Sequence, residues 1–484
     1  MEHNNINIVI IGLGHHAKRM NLDFRDTIKH VNLVGVVDIE SNKENIINSL
    51  KEKNIDVPTI FMKNLAVSDT IDSLDEDILN KFIKDLKCNS VIISTEPLAH
   101  FKYVIWALKN NLNILLDKPI TTEVNVSIDV DKAKKLASDY EIIKREYKKA
   151  LSRKNIVFIL QAQRRFHSGF IHVKKRLEEI YDLTNCPVTS IQAFHSDGQW
   201  RFPDEIVNID YHSYNQNYGK VSHSGYHSLD ISLRMCDFEK KIDKRYSSFE
   251  VYSKFSRPYD FVNQIKYEDY NYFFKDQNIN NSYLRFRKDL NIEGEIDAFN
   301  SISLFNKNNA LITHIASSML HNGFSQRGWA IPNIKDLYKG NGRVRHESYI
   351  IEQGPFQSII INSFQSKELL KNTDTNHSKV GGEAHFDVHI FRNSSLFKNL
   401  KPYELFKMEE KIDFSENNYS RGHNEDARRI CIEEFILSIK YNKSPEQQNS
   451  NFFEHELSTK VLSAIYESAS KDFNNKNMVV KKKI

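Results

Sequence analysis

The sequence predicts an α/β protein of two domains. An N-terminal doubly wound parallel-sheet domain spans residues 1–163, and an α+β domain built on a large, mainly antiparallel sheet spans residues 164–484. Three observations predict this. Short apolar β runs alternate with helical stretches from Ile6 to about residue 160, which is the pattern of βαβ units. The first run ends in a glycine turn that opens a helix. From about residue 167 the β runs follow one another with few helices between, as hairpin-connected strands do. At 484 residues the chain also exceeds one ordinary core.

The first run, Ile6-Asn7-Ile8-Val9-Ile10-Ile11, leads into Gly12-Leu13-Gly14-His15-His16-Ala17, with a helix expected from there to about residue 30. Gly12, Gly14 and Ala17 fit G-x-G-x-x-G/A: a glycine for the turn, a glycine for backbone approach to a pyrophosphate, and a small residue for close packing of helix on strand. The phosphate would sit on the helix N-terminus, where free N–H groups and the dipole favour an anion. The second run, Val31 to Val37, ends in Asp38, about 20 residues on, where such folds carry the carboxylate that binds the adenine ribose. That acid, with Glu40 beside it, would repel a 2′-phosphate, so NAD is expected rather than NADP; the alternative role for Asp38 is a strand-end turn residue.

A third run, Ser90 to Thr95, precedes Pro97, His100 and a helix over about 99–110. A fourth, Leu112 to Leu116, runs into Asp117-Lys118-Pro119. In parallel α/β sheets ligands lie beyond the carboxyl ends of the strands, where Asp38, Thr95 and Lys118 fall. Here the chain resembles the Gfo/Idh/MocA family of oxidoreductases, through Thr95-Glu96-Pro97-Leu98-Ala99-His100 and Asp117-Lys118-Pro119; the first acid of the triplet is Asp where the family more often has Glu. The resemblance implies an N-terminal Rossmann domain, a cofactor surface that includes Thr95, Pro97, His100 and Lys118, and a lysine that reaches both nicotinamide and substrate. The proline is often cis in that family. A lysine-rich helix over about 129–152 and a strand at Ile156–Gln161 complete the first domain. Arg164 and Arg165, at the crossing into the second, suit either ligand contact or interdomain ion pairing.

In the second domain a helix is expected over about 168–181 and strands over 188–195, 248–254, 296–305, 309–320, 357–364 and 384–391. By the resemblance this sheet serves oligomer contacts and one wall of the active site, so a homo-oligomer, dimer or tetramer, is implied. Residues 255–295 and 325–380 look like additions to the family's usual length, and 276–281 and 371–379 like loops. Two amphipathic helices, Glu425 to Tyr441 and Glu454 to Phe473, finish the fold; by resemblance they pack back on the first domain. The closing Lys481-Lys482-Lys483 reads as a solvated end.

The chemistry centres on Gly219-Lys220-Val221-Ser222-His223-Ser224-Gly225-Tyr226-His227-Ser228-Leu229-Asp230. Ser222 or Ser224 suits an N-cap, and a helix from there places His223, His227 and Asp230, spaced four and three apart, on one face. A carboxylate one turn from an imidazole fixes its tautomer. The family's pattern here is roughly D-x-G-x-H-x-x-D, matched by Gly225, His227 and Asp230, with His223 in place of the acid. The resemblance implies that His227 exchanges a proton with the substrate hydroxyl, that Asp230 and His223 flank it, and that Lys118 stabilises charge on the same oxygen. Two other readings stay open: zinc on His223 and His227 with Asp230 or His212, and histidines merely hydrogen-bonded at a domain interface. No metal is expected, since no Glu follows His223. Asp197 with Trp200, in His195-Ser196-Asp197-Gly198-Gln199-Trp200-Arg201, and Tyr211-His212 suit sugar contacts; Ser325-Gln326-Arg327-Gly328-Trp329 is a weaker candidate.

Composition narrows the function classes. Lys plus Arg number 67 against 63 Asp plus Glu, a net charge of +4 without long blocks, so no nucleic-acid partner is expected. No apolar stretch approaches the roughly 18 residues of a membrane span, and four scattered cysteines point to a reducing cytoplasm. The expectation is a cytoplasmic NAD-dependent oxidoreductase acting on a secondary alcohol or ketone of a sugar, sugar derivative or cyclic polyol. The alternatives are a redox-neutral hydrolase or eliminase that uses bound NAD, and a non-catalytic nucleotide-binding scaffold.

Overall fold

The computed structural model describes residues 5–14, 17–18, 31–67, 71–197, 214–238, 242–264, 266, 268–269, 272, 292–321, 344–366, 385–409 and 423–484. In chain order these form strands β1 (Ile6–Ile11), β2 (Val31–Ile39), β3 (Thr59–Met62), β4 (Ser90–Ile93), β5 (Asn113–Leu116), β6 (Phe158–Leu160), β7 (Ser190–Ser196), β8 (Tyr246–Ser256), β9 (Asp297–Asn306), β10 (Leu311–Leu320), β11 (Val344–Gln353), β12 (Gln357–Ser366), β13 (His385–Arg392), β14 (Tyr403–Glu409) and β15 (Val480–Lys483). The helices are α1 (Lys43–Glu52), α2 (Ser73–Asp85), α3 (Pro97–Lys109), α4 (Val130–Arg153), α5 (Ser168–Thr184), α6 (Tyr226–Cys236), α7 (Pro258–Gln264), α8 (His423–Lys440) and α9 (Glu456–Phe473). They cluster into two compact units, one of residues 1–122, 136–166 and 425–459, the other of 123–135, 167–424 and 460–484.

The first unit is built on a six-stranded sheet in the order β3-β2-β1-β4-β5-β6, every pair parallel. Successive strand residues alternate between its faces, and both faces are covered, so the strands are apolar throughout. Val9, Ile11, Val91, Ile93, Ile114 and Leu116 pack against Val104, Ala107, Tyr140, Ile143 and Tyr147 of α3 and α4. Ile8, Ile10, Ile92 and Leu115 pack on the other face against Ile46 and Leu50 of α1 and Ala427, Cys431, Ile432, Phe435 and Ile436 of α8. The order reverses between β1 and β4, the point at which such sheets open a crevice for ligands.

The second unit holds a nine-stranded sheet, β14-β13-β12-β11-β7-β10-β9-β8-β15. Only β7 and β10 run parallel within it; the other neighbours are antiparallel. All six expected strands are present. Three that were not expected correct the reading of this half. β11 lies near the middle of the sheet between β7 and β12, so residues 344–366 belong to the sheet and are no addition. Its core-facing positions include Glu347 beside Tyr349 and Ile351, and that buried acid hid the alternation. β14 is an edge strand of half-exposed residues. The closing lysines pair with β8 as β15, where Lys481 meets Glu250 and Lys482 meets Glu467, each at 2.7 Å.

Candidate functional site

The glycine turn is set by backbone contacts. Gly12 takes φ +85°, and its N–H donates to Val37 O at 2.8 Å. A Cβ there would stand 2.8 Å from both Ser94 O and Thr95 N, so only glycine fits. Gly14 is the opposite case: a Cβ would meet nothing within 4 Å, which leaves the backbone open to a ligand. Ala17 is buried against the sheet and carries helical backbone with Lys18, whose N–H donates to Gly14 O; the rest of the expected helix, with His15 and His16, lies outside the described residues. The open backbone at Gly14 fits the close approach of a dinucleotide's pyrophosphate.

Asp38 is engaged within the protein. Its Oδ2 accepts from Leu13 N–H at 2.7 Å, and its Oδ1 accepts from Ile39 N–H and from Asn42 Nδ2. The carboxylate thus ties the end of β2 to the glycine turn, and the strand-end role weighed from sequence is present.

Two further loops leave the same edge of the sheet. Pro97 occupies the first turn of α3, where its missing N–H costs nothing. Thr95 Oγ1 donates to Glu96 O. Asp117 follows β5, accepts through Oδ1 from Lys118 N–H at 2.8 Å, and precedes a cis Lys118–Pro119 bond. His100 joins these loops: its Nδ1 lies 2.8 Å from Pro119 O and its Nε2 3.0 Å from Thr95 O. The ring is fully buried, and burial holds its pKa below the ordinary value. A neutral imidazole donates to only one of these carbonyls; either way His100 fixes the spacing between the Thr95 and Lys118 segments. Arg165 is buried against Glu454, at 3.0 Å, in the same unit.

In the second unit the histidine segment departs from the expected helix. Val221–Gly225 forms a π-type turn in which His223 has φ −92° and ψ −109°, and α6 starts only at Tyr226, with no side-chain cap. Ser222 and Ser224 therefore do not cap, and His223 does not share a regular helical face with His227 and Asp230. The last two stand one turn apart on α6, both buried. Gly225 is required where it is, since a Cβ would lie 2.7 Å from Lys220 O.

Two buried networks hold this turn, and neither was legible beforehand. In one, Glu295 Oε1 accepts from Val221 N–H at 2.9 Å and from Tyr466 OH at 2.6 Å, and the Tyr466 hydroxyl meets Ser222 N and Oγ. Burial raises the Glu295 carboxyl above the usual range, and the same burial beside Glu295 raises the Tyr466 phenol. In the other, Lys220, 0% exposed, places Nζ 2.7 Å from Asp197 Oδ2, 2.9 Å from His195 Nδ1 and 3.0 Å from Ser224 Oγ. Asp197, at the end of β7, also accepts from Ser224 Oγ and faces His321 Nδ1 at 3.4 Å. Lys220 carried no signal beyond its place in the motif. Among the described residues no group of three or more metal-ligating side chains stands together, and no helix is long and apolar enough to cross a membrane. Trp200, Arg201, Tyr211, His212 and Ser325–Trp329 lie outside the described residues.

Comparison with known proteins supplies the rest. Residues 6–142 match the model of an oxidoreductase family with an NAD-binding Rossmann fold, and the sequence resemblance is borne out. No curated protein matches the chain in sequence. Solved structures share the fold. An oxidoreductase from Agrobacterium radiobacter, in complex with NAD+, L-tartaric acid and magnesium, is 11% identical with a TM-score of 0.56, over 98% of each chain. The aldose-aldose oxidoreductase from Caulobacter crescentus is 12% identical with a TM-score of 0.54, over 99% of this chain and 100% of its own. A levoglucosan dehydrogenase in complex with NADH is 12% identical with a TM-score of 0.55, over 99% of each chain.

Proposed function

The chain is a Gfo/Idh/MocA-type oxidoreductase by its NAD-binding domain, residues 6–142, and from that premise we propose that it oxidises a secondary alcohol, or reduces the ketone, of a sugar, sugar derivative or cyclic polyol. The observation that carries the reading is the glycine cradle, closed at Gly12 and open at Gly14, with Lys118 on a loop at the same sheet edge. Two of the three structural neighbours named above are named for sugar substrates, which supports the substrate class.

Gly12, Gly14 and Ala17 would hold the pyrophosphate, Asp38 the adenine ribose, and Thr95, Pro97 and His100 the wall beside it. When bound, NAD supplies the two-electron acceptor or donor. Lys118 then stabilises negative charge on the substrate oxygen, and His227 takes or returns the hydroxyl proton. Asp230, one turn on, orients the imidazole. The protein works as a homo-oligomer, and four free cysteines suit a reducing cytoplasm.

The test is turnover across a carbohydrate panel, read from nicotinamide absorbance. Lys118→Ala and His227→Ala should each abolish it while NAD still binds; full activity in either removes the assigned mechanism. The second reading is redox-neutral chemistry on tightly held NAD. Product formed with no net absorbance change would select it.

A further inference from the structure

A buried charged network runs from the π-type turn to the first turn of α6, and the reaction proposed above makes no use of it. Lys220 has only donors, so His195 Nδ1, 2.9 Å away, is an acceptor and the imidazole proton sits on Nε2. That nitrogen faces Glu347 Oε1 on β11 at 3.8 Å. Glu347 Oε2 accepts from Tyr349 OH at 3.1 Å, and the same hydroxyl lies 3.3 Å from Ser228 Oγ. On its other side Lys220 reaches Asp197 and Ser224, and Ser224 closes back on Asp197. The chain of contacts thus joins Ser224 of the π-type turn to Ser228 in the first turn of α6, and His227 lies between them in sequence. Its members come from the carboxyl ends of the parallel pair β7 and β10, from the start of β11, and from the turn itself.

Stability does not account for such a group. Buried ion pairs replaced by apolar residues of similar size are often neutral or stabilising, whereas the three hydrogen bonds of the buried Lys220 ammonium rigidify what they touch. We propose that Lys220 is a positioning residue: with Asp197, His195 and Glu347 it locks the π-type turn and the first turn of α6, and so fixes where His223 and His227 stand. This rests on His227 being the acid/base.

The test uses the full chain with Lys220→Met and the double variant Lys220→Met/Asp197→Asn. The single change strands the Asp197 charge; should it not fold, the double variant, which removes both charges, carries the test. The first measurement is carbethoxylation of His223 and His227 by diethyl pyrocarbonate, mapped by peptide mass spectrometry and normalised to His389 on β13. It needs no substrate. Folded variants with NADH affinity unchanged should show altered rates at His223 and His227 but not at His389; unaltered rates overturn the proposal. The second measurement is turnover on any panel sugar the wild type accepts, where kcat should fall about 100-fold with KM little changed, as a misplacement of order 1 Å would produce. An unchanged kcat reduces the network to a structural role and also overturns the proposal. A wild-type chain that turns over nothing sinks the function proposed above, while histidine reactivity still decides whether Lys220 positions the pair.

Discussion

The glycine turn after β1 and the histidine turn before α6 are both short, buried connections on which a functional reading depends, and they are held in opposite ways. Around Gly12 the contacts are mostly backbone: Gly12 N to Val37 O, Ser94 N to Ile11 O, and Leu13 N to the Asp38 carboxylate. Around His223 backbone bonds such as Gly225 N to Lys220 O are joined by side-chain contacts that Glu295, Tyr466 and Asp197 bring from other parts of the sequence. A backbone-held turn states its requirements in its own residues, so a motif can report it. A turn held by side chains from elsewhere changes shape when those partners change, whatever its local motif says.

The largest expected effect breaks the first turn. Gly12→Ala forces a Cβ into Ser94 and Thr95 at positive φ, which combines backbone strain with overpacking and should cost about 3 kcal/mol in the first unit, with NAD binding lost. Gly14→Ala meets open space and should cost less than about 1 kcal/mol of stability while still weakening NAD, since the methyl occupies the cradle. Thermal unfolding and NADH fluorescence titration on the two variants separate these outcomes. Equal destabilisation by both would remove the distinction between a glycine the turn needs and a glycine the ligand needs.

Asp38→Ala comes next. A buried N–H that donates to a carboxylate is worth about 1.5–3 kcal/mol, so removing the acceptor of Leu13 N–H should lower stability by about 2 kcal/mol even without NAD. Loss of NAD affinity at unchanged stability would leave Asp38 with the ribose role alone.

The first unit was legible nearly strand by strand, because each β run is apolar on both faces and each loop carries its own punctuation in Gly12, Asp38, Pro97 or Pro119. His100 was named for the cofactor, but its place between Thr95 O and Pro119 O depends on how two loops meet, which spacing does not encode. In the second unit β11 escaped notice because Glu347 and His346 interrupt its alternation, and β15 because three lysines read as solvent-facing until Glu250 and Glu467 face them. The helix at 222–230 was expected too early. The serine N-cap candidates and the His223, His227, Asp230 spacing suggest helix there, whereas Glu295, Tyr466 and Asp197 hold Val221, Ser222 and Ser224 in a π-type turn. Lys220 is the sharpest instance: nothing local marks a lysine as fully buried, and its partners His195 and Asp197 lie on another strand end.

The smallest effect contrasts by pH a buried imidazole of the first unit with a buried carboxyl of the second. Burial lowers the His100 pKa, so its contribution is present above the unfolded value of about 6.5 and is lost as pH falls through the folded one. Burial raises the Glu295 pKa, so its contribution is complete below the unfolded value of about 4.3 and is lost as pH rises through the folded one. His100→Gln and Glu295→Gln each remove one slope. Compared with wild type in urea unfolding at about pH 5 and about pH 8, His100→Gln should lose more stability at the higher pH. Glu295→Gln should gain relative to wild type over the same interval, because an amide pays no penalty for ionising against Tyr466. Differences of the same sign in both variants would mean that at least one of these groups titrates as it does in the unfolded chain.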